Sequence, residues 1–203
     1  MELPLIYDES WRYGFILLGG LLFSIFYLGV ERVLLFPAKE VPQLAIDRAI
    51  PFLPWTIWIY QSTVPFMFII YLLIQNPDTL NRMVYAFCAL LLSSAIIFYF
   101  FPTTVPRDLY PIPKKTDAWT RWNFEKLREV DKPVNCVPSM HVSMTILFTF
   151  LLWQEQQHLL PYFALFGLAI IFSTMTTKQH YAIDVITGAI FGIGSYSIFF
   201  LLL

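Results

Sequence analysis

Six stretches of this chain, residues 13–30, 54–75, 83–101, 139–154, 159–177 and 185–203, contain no Asp, Glu, Lys or Arg and run for 16 to 22 residues each. A hydrocarbon core about 30 Å thick takes roughly 20 apolar residues as helix, with about 17 at the short end. Five of the stretches reach that length, and residues 139–154 fall just short. The pattern predicts an all-α polytopic membrane protein: a six-transmembrane-helix bundle with one large extramembrane loop, residues 102–140. Pro65 is expected to kink the second helix. Composition agrees, because 58% of the 203 residues are hydrophobic and only 13% charged, too little polar side chain to surround a soluble core of this size. With 13 basic against 14 acidic residues there is no basic field to draw nucleic acid, and DNA and RNA are excluded as expected partners.

Residues 1–203 read as a single membrane-embedded domain, with no linker, low-complexity tract or internal repeat. Glu2, Asp8 and Glu9 precede the first apolar stretch, which therefore lacks the basic start of a secretory signal and is read as a retained anchor. Residues 102–140 hold 12 of the 27 charged side chains. Within them, 117–131 interleaves Trp119, Trp122, Phe124 and Leu127 with charges. That segment is either an amphipathic helix at the interface or a solvated loop with anchoring tryptophans. Six spans put loops 31–53, 102–140 and 176–180 on one side of the bilayer. That side carries 11 Lys and Arg against two, Arg12 and Arg82, on the other, which by the positive-inside rule makes it cytoplasmic. The two cysteines suggest neither a disulfide nor a metal site, since Cys88 lies in an apolar run and Cys136 in a polar loop.

Two of the three histidines stand at helix mouths on the loop side. His141 follows Pro138-Ser139-Met140, a helix start with Ser139 as N-cap. Free N–H groups there, with the helix dipole behind them, favour an anion, phosphate above all. His141 is then placed to donate a proton, or the element is a capped helix that happens to carry a histidine. His180 and Asp184 are four residues apart, so on a helix they share a face. The carboxylate can fix one ring nitrogen and leave the other as a nucleophile or base; a structural His–Asp pair is the alternative. Gly188 and Gly192 continue the four-residue spacing and are assigned to helix packing. His141 and His180 are 39 residues apart, one helix down and one back, which returns both to the same face. Arg107 and Lys178 are the nearest candidate cations for phosphate, with Lys114 and Lys115 behind them, unless they are residues snorkelling to the interface. His158 falls on the opposite side.

Pro138-Ser139-Met140-His141 resembles the Pro-Ser-Gly-His motif of the type 2 phosphatidic acid phosphatase superfamily, and His180-x-x-x-Asp184 resembles its His-x-x-x-Asp. The runs 136–141 and 173–184 are closer to the inositol phosphorylceramide synthase-like branch, and the resemblance spans about residues 101–195. It implies a six-helix fold and a metal-free, cofactor-free transfer of phosphoryl from a lipid phosphate. In that scheme His180 attacks phosphorus, Asp184 orients it and His141 protonates the leaving oxygen. Arg107, Ser139 and backbone amides hold the phosphate, with Lys178 as a further cation. Two departures stand out. The family's Lys-x6-Arg-Pro is absent, with Phe100 where its lysine would fall, and Thr174 occupies the place of an expected arginine. The readings are lipid phosphatase first, lipid phosphotransferase second, and a transporter or scaffold from outside the enzymes. Many relatives carry the catalytic face outside the cytoplasm, against the charge count, and the orientation of this face stays open between the two.

Overall fold

The computed structural model describes residues 3–203; Glu2, part of the acidic start, lies outside them. The chain is mostly helical: α1 (Arg12–Phe23), α2 (Ala45–Ala49), α3 (Ile57–Gln61), α4 (Thr63–Leu73), α5 (Pro77–Phe100), α6 (Ala118–Val130), α7 (Met140–Glu155), α8 (Leu160–Thr176) and α9 (Ala182–Ser197). With their extensions, four helical segments among the described residues are long and apolar enough to cross a membrane: Glu9–Leu28, Pro54–Leu73, Pro77–Phe100 and Ala182–Leu202. α8, at 17 residues, is apolar but shorter, and α7 has 16.

Local chemistry explains the helix boundaries. Asn76 caps α5, its side chain accepting from the N–H groups of Asp78 and Thr79, with Pro77 in the first turn. The expected kink near Pro65 is a break at Ser62 between α3 and α4. Proline has no N–H to give the Gln61 carbonyl four residues back and its ring crowds that oxygen, so the irregularity falls N-terminal to Pro65 itself. The segment around 117–131 is a helix, α6, capped by the Asp117 carboxylate on the N–H of Thr120 at 2.9 Å. At the end of the bundle holding the N-terminus, the Arg12 guanidinium donates to the carbonyls of Tyr71 and Ile74, satisfying the last turn of α4 with a positive charge at its negative pole.

α7 is the central helix and packs against α4, α5, α8 and α9. Its Met140, Met144, Leu147, Leu151 and Leu152 are buried together with Phe66 and Ile70 of α4, Leu90 of α5 and Ile170 of α8. The closest approach is to α9 at Gly188 and Gly192, where an added Cβ would meet the carbonyl oxygens of Ser139 and Ser143 at 2.6 Å each. Hydrogen bonds span the same seam, for Ser143 Oγ donates to Gly188 O at 2.9 Å. Outside the helices, β1 (Lys39–Glu40) and β2 (Thr103–Thr104) form a short parallel pair. A bridge from Thr103 to Asn135 extends it and gathers the first loop, the long loop and the approach to α7 at one end.

All six tryptophans are exposed. Trp11 and Trp153 mark the end holding the N-terminus. Trp55, Trp58, Trp119 and Trp122 mark the other, where Trp58 Nε1 donates to Thr120 Oγ1 at 3.1 Å. Two aromatic girdles on an apolar surface are the distribution expected of a chain lying across a bilayer.

Candidate active site

The mouths of α7 and α9 meet at the loop end. The N–H of Ser139 donates to the carbonyl of Asp184 at 3.1 Å, so the two helix starts are joined through the backbone. His180 precedes α9, and its Nδ1 lies 3.2 Å from Asp184 Oδ2. The same oxygen accepts the N–H of Tyr181 at 2.9 Å, so the carboxylate both satisfies the start of α9 and orients the imidazole. With Nδ1 protonated toward Asp184, the lone pair of His180 resides on Nε2. Asp184 is fully buried and His180 nearly so.

His141, in the first turn of α7, has its ring centroid 6.0 Å from that of His180 at an interplanar angle of 54°. Its other neighbour is Tyr60 of α3, stacked with centroids 4.1 Å apart, which fixes the ring plane. Ser139 takes the N-cap position, but its hydroxyl makes no capping bond. Instead its carbonyl receives both the N–H and the hydroxyl of Ser143, at 3.0 and 2.9 Å. Ser139 Oγ, His141 Nδ1, Asp184 Oδ1, Gln179 Oε1 and Arg107 Nε are buried atoms with no hydrogen-bond partner among the described residues.

The candidate cations separate. Arg107 grips Asp131, donating from Nη1 to its carbonyl at 2.6 Å and from Nη2 to its carboxylate at 2.7 Å. The pair is nearly buried, at 10% and 9% side-chain exposure. Lys178 is buried and donates to the carbonyls of Asp47 and Ile50, at 2.7 and 2.6 Å. The structure thus sets its ammonium at the end of α2. Burial pushes the lysine's pKa down and the Asp47 charge opposes the shift. Its backbone is left-handed, φ 57°, closing a turn in which the N–H groups of Gln179 and His180 both donate to Thr174 O at 3.1 Å. Lys114 and Lys115 are exposed, and His158 is at the opposite end, between α7 and α8.

Sequence reasoning missed three residues here. Asp47, buried on α2, accepts the N–H of Ala182 at 2.7 Å and so holds the first turn of α9 from outside. Asp131 closes α6 and pairs with Arg107 in a nearly dry setting. Cys136, read as an isolated loop thiol, lies with His180 and Asp184 in a group whose donor atoms are all within 4.8 Å of one another. Burial and the charge of Asp184 raise the thiol's pKa well above the ordinary range.

Membrane-length helices gathered around a buried His–Asp pair and a second histidine define a membrane-type helical bundle with a polar centre. Residues 27–198 match the model of the PAP2 superfamily, and the chain belongs to that superfamily, whose members are generally phosphatases and phosphotransferases. No curated protein matches it.

Proposed function

We propose that this protein is an integral membrane lipid phosphatase, hydrolysing a lipid phosphate monoester or pyrophosphate through a phosphohistidine intermediate. The reading rests above all on the His180–Asp184 pair at 3.2 Å, with His141 across one narrow space from it, in a chain of this superfamily. His180 Nε2 attacks phosphorus while the bond to the lipid oxygen breaks, and His141 delivers the proton that oxygen needs. Water then attacks the phosphohistidine, losing its proton to His141, and inorganic phosphate leaves. Asp184 keeps the tautomer and stabilises the imidazolium. The partnerless donors Ser139 Oγ and Arg107 Nε are suited to phosphate oxygens. The lipid bilayer is the solvent, and the bundle crosses it six times as one domain. α7 and α8, about 24 and 26 Å long at 1.5 Å per residue, are the short members. The reaction scheme employs no cofactor and no metal.

A second reading, transfer of a phospho-head group to a lipid alcohol, is supported by the synthase-like runs 136–141 and 173–184. The test incubates purified protein with lipid phosphates and a mixed lipid extract, with and without ceramide or diacylglycerol. Released inorganic phosphate supports hydrolysis, a new head-grouped lipid supports transfer, and neither product overturns both.

A further inference from the structure

Cys136, His180 and Asp184 come from two separate parts of the chain, and all three are buried. One sulfur, one imidazole nitrogen and one carboxylate oxygen within 4.8 Å of one another form a donor set suited to zinc. We propose that this cluster binds Zn²⁺ as an inhibitory site that shuts off His180, a role resting on the phosphatase reading only for its effect on turnover.

Charge favours the assignment. The Asp184 carboxylate and the thiolate formed on binding together offset the two positive charges of the ion, so the complex is neutral in a dry place. Asp184 Oδ1 has no hydrogen-bond partner among the described residues and is free to ligate. A tetrahedral zinc with bonds of about 2.0–2.3 Å holds its donors roughly 3.3–3.7 Å apart. The cluster must therefore tighten by on the order of 1 Å to take the ion. On binding, the Cys136 S–H bond breaks and its proton passes to the buffer. Bonds from zinc to sulfur, nitrogen and oxygen form, and no oxidation state changes. A neutral imidazole has one in-plane lone pair, so once the metal holds it none remains for phosphorus.

The test uses the purified full-length protein in detergent with a non-thiol reductant, and compares it with Cys136→Ser and, as control, Cys88→Ser. Cobalt(II), a spectroscopic stand-in for zinc, should give a thiolate-to-metal charge-transfer band in the wild type and in Cys88→Ser but not in Cys136→Ser. Zinc should inhibit phosphate release from a lipid phosphate in mixed micelles, and a chelator should restore it. Relative to its own zinc-free rate, Cys136→Ser should need about tenfold more zinc or beyond for the same inhibition. Absence of the cobalt band, or equal zinc sensitivity in Cys136→Ser, overturns the proposal. If the wild type releases no phosphate at all, the phosphatase reading fails and the cobalt band still decides the metal site.

Discussion

A methyl group on Gly188 would lie 2.6 Å from the carbonyl oxygen of Ser139. That oxygen belongs to the backbone at the mouth of α7 and cannot swing aside, so Gly188→Ala must push α9 away from α7. Overpacking of this kind costs about 1–3 kcal/mol, and here it also alters the spacing of His180 and His141. Gly188→Ala should lower the thermal midpoint in detergent and depress turnover. Gly194→Ala, where a Cβ meets nothing within 4 Å, should change neither.

Removal of the proposed nucleophile in His180→Ala should abolish phosphate release while the protein still elutes as a folded species in detergent. Asp184→Asn keeps the size of the side chain but loses the carboxylate that selects the tautomer. A rate loss on the order of 10⁴-fold is the expectation by analogy with other histidine–carboxylate pairs. Full activity in His180→Ala would sink the mechanism.

Arg107 and Asp131 are each about nine-tenths buried at their side chains. Arg107→Ala leaves the carboxylate, among the described residues, with the Tyr27 hydroxyl at 3.2 Å, and breaking one side of such a pair typically costs about 3–5 kcal/mol. Thermal unfolding should show most of that loss, and Arg107→Lys should not restore it, because two guanidinium nitrogens are in use at once. A double Arg107→Met, Asp131→Leu variant should recover stability but not turnover, which separates the fold's use of the pair from the phosphate's.

For Lys178 the geometry and the motif comparison lead to different experiments. Its ammonium sits on two carbonyls, so Lys178→Met leaves buried acceptors unmet, at about 1–3 kcal/mol for each group so stranded. Stability should fall with KM little changed. A raised KM at unchanged stability would return Lys178 to the phosphate.

Turnover should persist in EDTA, or rise if zinc is present, and vanadate should inhibit by occupying the place of the transferring phosphoryl group. Strict dependence on magnesium would contradict the histidine mechanism.

The parts legible in the sequence are those that depend on neighbours along the chain. Uncharged runs located the apolar helices to within six residues at their ends, the stretch 117–131, open between helix and loop, is α6, and the spacing of His180 and Asp184 put them on one bond. The connectivity of two short spans brought His141 back to His180. What was not legible depends on closure of the loops. Asp47 reaches Ala182 across 135 residues, and Cys136 is carried to Asp184 by the Thr103–Asn135 bridge. No periodicity encodes such contacts. The Ser139 N-cap shows the same limit: its position follows from Pro138-Ser139, but the bond of its N–H to the Asp184 carbonyl across the seam with α9 does not.

The double use of Asp184 Oδ2, on the Tyr181 N–H and on His180, joins two events that are usually separate. Winding of the first turn of α9 and arming of the imidazole are one act, since the oxygen that terminates the helix backbone also holds the ring. A chain that frays by a single turn at Tyr181 therefore goes silent while its membrane helices are still intact. Loss of turnover under heat or harsh detergent becomes an early gauge of local melting, read well before the bundle itself gives way.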